Sequence, residues 1–582
     1  MNAASNTSNG GALTESPLRE GQFRIHPKNT TYKVYLFTNE LRCIPVKKGD
    51  AQKKSLSFSF DDVIGCHCMR GRGERNSTDA YFCLYSYPTK RKTFGGAFVR
   101  KRHDIAFVVD VHNSYQENLE AAEEWRVAIL TCLKRAMDVD ITPRARKVLV
   151  FVNPFSGPGK ALDIYQKRVV PTLAELDLNF HLIITERAGH AKDVVKTIDI
   201  SEWYGVIIVS GDGLIFEVIN GLMSRPDWEH AIHHLPLGVV PGGSGNALCC
   251  AINSHNGEPY KDNILTHSLF VLAKHKIKAL DLVAVDTCEG RHYSFLSITW
   301  GIISDVDIES EKYRSLGNAR FTVGALVRIV GLRTYHGRLS FLPCEPYRCH
   351  TSRSTSCSTW EPSVNANTAD VVTSQPKSRS LSCPDGLGDS ATEEVLRSRL
   401  QHGGPADEPL TPVFPEEGGG DLETVIANSS TPAADSTQLT CDSPSRGDAA
   451  TPRPVETALL PPLSDPVPAS WVTIEDNFVT VVAAYESHLG PDIIIAPEAT
   501  FNDGIIHLMF AKAGISRSSL LKLFLSMENG SHVNSPDIEI IKVKAFRLEP
   551  ITPGGVIAID GEKVKYGPIQ AQVLPGLARF MA

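Results

Sequence analysis

Short apolar runs separated by turn and charge clusters recur at 32–38, 56–60, 81–87 and 105–111, the pattern of successive β-strands. The period then changes. Over 116–135 Ala122, Trp125, Ile129 and Leu133 fall on one face of a predicted helix. From 148 onward, unbroken apolar runs at 148–152, 180–185, 206–209 and 235–240 read as buried strands of a parallel sheet. Helical spacing fills the gaps between them, over 161–176 and again at Ile215, Val218 and Ile219. Val323, Leu326, Val327 and Val330 repeat at helical spacing further on. From Trp471 strands return at 478–484, 493–496, 505–511, 538–543 and 556–559, with a helix over 518–527 that Ser516 or Ser518 would cap.

Two stretches lack periodicity. Residues 1–22 are small and polar, and 346–469 are rich in Ser, Thr, Pro and Gly with few aromatics. Neither composition buries enough apolar surface to offset chain entropy, so both are expected to be disordered. The predicted domains are a regulatory module at 23–140, an α/β lobe at 145–278, and a β-sandwich lobe at 279–345 and 470–582, interrupted by the 346–469 insert. Strands closed by one helix carrying Trp125 make the 23–140 module resemble a pleckstrin-homology domain. Its clusters Lys90-Arg91-Lys92 and Arg100-Lys101-Arg102 suit either anionic head groups or a solvated hairpin.

The chemistry lies at the strand ends. Asn153-Pro154-Phe155-Ser156-Gly157-Pro158-Gly159-Lys160 follows the first buried strand, and Thr185-Glu186-Arg187-Ala188-Gly189-His190 the second. Ser210-Gly211-Asp212-Gly213 follows the third and Pro241-Gly242-Gly243-Ser244-Gly245-Asn246 the fourth. The first loop is not a Walker A motif, because Ala161 follows Lys160 where Ser or Thr is required. Ligands bind at the carboxyl edge of parallel strands, and four such loops there predict a nucleotide site. Asp212 is the odd member. Beside a polyphosphate a carboxylate repels unless it holds a metal or takes a proton from an attacking hydroxyl; by itself, Asp-Gly is also an ordinary turn.

Composition adds limits. The chain has 582 residues, 42% hydrophobic and 21% charged, with net charge −7. That charge gives no basic field for nucleic acid. The thirteen cysteines include Cys66-His67-Cys68 and Cys249-Cys250, neither with four-ligand zinc spacing. The N-terminus lacks the apolar core of a signal peptide, and no apolar run reaches spanning length. The expected locations are cytoplasm and peripheral membranes, with the nucleus left open.

Asn153-Pro154, Ser210-Gly211-Asp212-Gly213 and Gly243-Ser244-Gly245-Asn246 resemble the catalytic domain of the diacylglycerol kinase superfamily. The run from Trp300 through Asp307, Arg314 and Arg320 to Phe321, with Phe546-Arg547-Leu548-Glu549-Pro550 and Asp560-Gly561-Glu562, resembles the sphingosine kinases, in the type with a long N-terminal extension and a proline-rich insert. The resemblance implies an α/β nucleotide-binding lobe, an antiparallel β-sandwich lobe and ATP between them. It assigns Asn153, Pro154, Phe155, Thr185, Glu186, Arg187, Ala188, Gly189, Ser210, Glu217, Gly243, Ser244 and Gly245 to the ATP site. Arg314 and Arg320 would contact phosphates, and Asp560, Gly561 and Glu562 would close the nucleotide site. Ser210, Gly211, Asp212, Gly213 and Asp307 would face the lipid. Asp212 would be the general base and Asp307 the partner of the lipid amine. Mg²⁺ would bridge the phosphates.

Two residues depart from the family: Phe216 stands where His is usual, and Gly189 where Asn is usual. A diacylglycerol or ceramide kinase is the alternative within the class, and a weakly catalytic scaffold the alternative outside it. The stripe at 323–330 is either a core face or a gate for the acyl pocket that touches the bilayer. In the insert, Thr411, Thr431, Ser443 and Thr451 precede proline, and Arg379-Ser-Leu-Ser-Cys-Pro384 has the form of a phosphoserine docking site for a 14-3-3 protein at Ser382. A 14-3-3 pull-down of the phosphorylated chain should lose its signal with Ser382→Ala; an unchanged pull-down removes the site.

Overall fold

The computed structural model describes residues 16–27, 30–46, 54–71, 77–91, 98–137, 147–316, 319–347, 422–423 and 455–582; the side chains of 135–137, 314–316, 319 and 422–423 are not described. Ser382 and the proline-directed sites of the insert lie outside these residues, as does Lys92.

The N-terminal module is an antiparallel sheet of β1 (Arg19–His26), β2 (Thr30–Leu36), β3 (Glu40–Pro45), β4 (Leu56–Ser59), β5 (Val63–Gly71), β6 (Ala80–Ser86) and β7 (His103–Val109), covered by helix α1 (Tyr115–Met137). Ala122, Trp125, Ile129 and Leu133 are all buried, as their spacing requires. Trp125 meets Phe23 edge-on at 5.1 Å and stacks on Phe82 at 5.8 Å. β1 corrects the expectation of disorder over 1–22. It starts at Arg19 and pairs with β2, burying Phe23 and Ile25. Charged and glycine neighbours hide that alternation in the sequence. β3 and β5 also escape the pattern.

The basic cluster at 100–102 is neither a solvated hairpin nor a free lipid-facing surface. Arg100 pairs with Glu258 at 2.6 Å and Arg102 with Glu175 at 2.6 Å, both on the next lobe. Arg126 crosses the same junction to Asp177 at 2.5 Å, and Lys274 donates back to the carbonyls of Phe60 and Val63.

The α/β lobe contains β8 (Lys147–Val152), β9 (Asn179–Ile184), β10 (Trp203–Ser210) and β11 (Leu237–Pro241), all parallel, in the order β9-β8-β10-β11. The predicted helix over 161–176 is α2 (Ala161–Ile164), a π turn (Tyr165–Val169) and α3 (Val170–Glu175) end to end. α4 (His190–Thr197), α5 (Asp212–Leu222), α6 (Trp228–His234), α7 (Ala247–His255) and α8 (Ile264–Lys274) follow. β8 lies centrally, so the connections leaving β8 and β10 turn to opposite faces. Between them is the crevice in which open α/β sheets bind ligands.

The C-terminal region is sheet-rich. β12 (Ile277–Thr287), β13 (Gly290–Ser294), β14 (Ser297–Gly301), α9 (Ile302–Glu309) and α10 (Ala319–Val330) lead into β15 (Tyr335–Pro343). After the insert come β16 (Val472–Ala484), β17 (Ile506–Lys512), α11 (Arg517–Ser526), β18 (Glu539–Pro550), β19 (Ile557–Ile559), β20 (Glu562–Val564) and β21 (Ile569–Met581). Ser516 rather than Ser518 caps α11, accepting from the Ser519 N–H at 3.0 Å. β21 pairs antiparallel with β12 and β18, then meets β11 in parallel at Leu237–Phe580, which makes the two regions one continuous sheet.

Two further expectations change. The described chain resumes at Val455, before Trp471, and Arg547, Arg291, Gln570 and Gln572 hydrogen-bond 455–465 onto the sheet. The α10 stripe does not form core: Val327 is 56% and Val330 73% exposed, while Gly324 and Ile329 face inward. Spacing identifies a face but not which face is covered.

Candidate functional site

The loop after β8 turns on its own side chain. Asn153 Oδ1 accepts from the Phe155 N–H at 3.0 Å. The turn delivers Ser156, buried, to the loop after β10. There its hydroxyl accepts from the Gly211 N–H at 2.9 Å and from the Ser210 hydroxyl at 3.1 Å. The loop after β11 closes on itself through Asn246, whose side chain accepts from the Gly243 N–H at 2.9 Å and donates to the Gly243 carbonyl at 2.7 Å. A β-carbon on Gly243 would lie 2.5 Å from the Gly211 Cα, so the two loops meet backbone to backbone.

Asp212 begins α5, and its carboxylate reaches the start of α7. Oδ2 accepts from the Ala247 N–H at 2.8 Å and Oδ1 from the Leu248 N–H at 3.2 Å. Asn246, the residue before α7, has its side chain engaged with Gly243, and Asp212 takes the capping role from another loop. Burial raises the Asp212 pKa, and the N–H donors oppose the rise by favouring the charged form. The result is a fixed carboxylate with basicity above that of an ordinary aspartate.

The facing wall comes from the sheet-rich region. Glu562 stands over Gly213, and Gly561 backs Asp307, whose Oδ2 lies 3.5 Å from the position of a Gly561 β-carbon. Burial pushes the Asp307 pKa up to about 7; Arg320 opposes the shift, and Glu311, Glu562 and Asp212 add to it. Arg320 lies 3.8 Å from Asp307 and 3.3 Å from Glu311, and its buried Nε has no partner among the described residues. Asp560 is used differently. Its carboxylate accepts from the Ser294 hydroxyl and from the N–H groups of Phe295, Leu296 and Ser297 at 2.6–3.0 Å, fixing the β13–β14 corner. Gly561 and Glu562, not the Asp560 side chain, therefore form the wall.

Other sequence-derived residues sit around this centre. Thr185 is buried at the end of β9, its N–H bonded to the Val152 carbonyl. The Glu186 N–H donates to His190 Nδ1 at 3.1 Å, and Arg187 turns outward to Asp193 at 2.6 Å. Ala188 precedes Gly189, which has φ +77° at the start of α4. Gly and Asn are the residues that adopt that backbone most readily, so the departure at 189 preserves the turn. Glu217 on α5 has a buried Oε2 without a partner among the described residues, and Phe155 is exposed. Pro154, Ser244 and Gly245 complete the loop edges, with Gly245 against Asp212. Phe216 stacks on His292 of β13 at 6.1 Å. The Arg314 side chain lies outside the described residues. Sequence reasoning missed the role of Ser156, although a hydroxyl among glycines was visible. It also missed the amides of Ala247 and Leu248, which leave no side-chain signal.

Family models match at two places: the diacylglycerol kinase catalytic domain over residues 147–285, and the YegS C-terminal NAD kinase beta sandwich-like domain over 469–582. Human sphingosine kinase 2 is 38% identical over 97% of this chain and 91% of its own length. Human sphingosine kinase 1 is 35% identical over 75% of this chain and 90% of its own. Sphingosine kinase 1 of Caenorhabditis elegans is 32% identical over 72% and 77%.

Removing the Ser156 hydroxyl strands the Gly211 N–H. Ser156→Ala is expected to cost about 1–3 kcal/mol of stability and to weaken ATP binding, measured by denaturant unfolding and calorimetry.

Proposed function

The chain belongs to the sphingosine kinase family, and on that premise we propose that it transfers the ATP γ-phosphate to the primary hydroxyl of sphingosine-like bases. One observation carries the substrate class. Asp307 is a buried carboxyl with Arg320 3.8 Å away and Glu311, Glu562 and Asp212 acting on it electrostatically, and a carboxylate so placed pairs with a cationic head group. Sphingosine carries an ammonium; diacylglycerol and ceramide do not.

In this reading the carboxylate of Asp212 accepts the proton of the attacking hydroxyl, while the amides of Ala247 and Leu248 fix its direction. Asp307 pairs with the lipid amine. Arg320, with an unused Nε, and Arg314 hold phosphate oxygens. The loop amides around Gly211 and Gly243 approach the phosphates, and Glu217 accepts from a nucleotide hydroxyl. Mg²⁺ needs only one or two protein carboxylates when polyphosphate and water fill the rest of its shell. Glu562, above Gly213, fits that need. Bound there, the ion would neutralise phosphate charge.

The alkyl chain has an apolar neighbourhood next to Asp307. Val306, Ile302, Ile329, Leu520, Leu523 and Met527 form one cluster between α9, α10 and α11. The exposed valines of α10 continue it outward, which supports the gate and bilayer contact for this helix. No helix among the described residues is long and apolar enough to cross a membrane, and the reading is of an enzyme working from the cytoplasm on membrane surfaces. The N-terminal sheet covered by α1 supports a pleckstrin-homology-like module.

Labelled ATP with sphingosine, ceramide and diacylglycerol tests the function. Transfer to sphingosine alone is expected, and Asp212→Asn should lower kcat by about 10²–10⁴-fold while ATP still binds. Transfer to diacylglycerol overturns the role of Asp307. Asp307 is charged only above its raised pKa, so KM for sphingosine should rise as pH falls through about 7. Leu326→Asp should reduce liposome binding and lipid turnover; unchanged values remove the gate.

A further inference from the structure

The Asp212 base is held by the first two amides of α7, so whatever fixes α7 also aims the base. The other end of α7 runs into a loop carrying Glu258, and the Glu258 N–H bonds back to the Asn253 carbonyl at 2.8 Å. Asn253 is fully buried and donates to Pro259 and Ser268, tying helix, loop and α8 together. The Glu258 carboxylate is clamped on both oxygens. Oε1 accepts from Arg100 Nε and Nη2 at 2.9 and 2.6 Å, and Oε2 lies 2.7 Å from Nδ1 of the fully buried His267.

Arg100 belongs to the N-terminal module, and its side chain is 11% exposed. Its Nη1 donates to Asp62 at 2.8 Å and to the Tyr87 carbonyl at 2.7 Å, and its guanidinium lies 3.6 Å from the Phe270 ring centre. Such a planar fork fixes direction as well as charge. The neighbouring crossings differ. Arg102 and Arg126 grip Glu175 and Asp177 at the far end of α3, and among the described residues neither is bonded to α7.

We propose that Arg100 is a positioning residue for the kinase reaction: through Glu258 and His267 it sets α7, and α7 sets the Asp212 carboxylate. The N-terminal module is on this account part of the catalytic apparatus, although it contributes no group to the reacting atoms. The inference rests on the reading of Asp212 as the base.

The test compares Arg100→Met with Arg102→Met in the full chain. Each removes one cation from the same junction, but only the first is joined to α7. Arg100→Met is expected to lower kcat on the order of tenfold, with KM for ATP nearly unchanged. The acid limb of its pH profile should move to higher pH, because Asp212 loses N–H donors that favour its charged form. The Asp307 carboxyl and the thiols of Cys249 and Cys250 interact electrostatically with Asp212 and are unaltered in both variants. Arg102→Met should lower the thermal midpoint without moving kcat or the limb. Equal loss of kcat in both variants, or a loss with a stationary limb, reduces Arg100 to a structural contact and overturns the proposal; so does unchanged kcat. If Arg100→Met does not fold, Arg100→Lys carries the comparison, since it keeps the charge and loses the fork. Wild-type protein that transfers phosphate while Asp212→Asn retains full activity refutes the base itself, a failure distinct from that of Arg100.

Discussion

A carboxylate held by the free amides of a helix that belongs to another loop is the contact on which this structure turns. Asp212 sits at the start of α5 and caps α7, so one side chain joins the strand ends of β10 and β11. The arrangement suits a general base. Burial strengthens its basicity, and the amides keep it aimed without removing its charge. It also explains why the surrounding loops are so poor in side chains. Ser156 and the backbones of Gly211 and Gly243 fill the space, because any larger group would part the loops.

The second wall contributes charge, while the first contributes shape. Asp307 stands beside Arg320 and within the field of Glu311, Glu562 and Asp212, and a carboxylate there pairs with an ammonium but not with a neutral head group. Asp560 shows how a conspicuous residue within the same motif serves another end. Four donors consume its carboxylate, and by fixing the β13–β14 corner it sets where Glu562 begins.

Much of this was legible in the sequence. The four strand ends were found because glycine clusters after apolar runs have a direct physical meaning. Asp212 and Asp307 were found by resemblance and meet in one cleft. Other features were hidden for identifiable reasons. Backbone amides carry no letter code, so the hold on Asp212 was invisible. The basic run at 100–102 looks the same whether its partner is water, lipid or Glu258, since the partner lies far away in sequence. The α10 stripe has helical spacing, yet Val327 and Val330 face outward, because periodicity reports sidedness and not cover. β1 was lost among charges that point to solvent on its other face.

The pairing of Leu237 with Phe580 has a consequence for synthesis. The nucleotide-binding strands leave the ribosome first, yet their β11 edge waits for a strand far downstream in the chain. Until β21 emerges, that edge offers unpaired amides and carbonyls to any neighbouring chain. Long-range closure of this kind is slow. The nascent kinase thus passes through an interval in which its most conspicuous lobe is nearly complete and also most prone to aggregate, and chaperone protection matters most there.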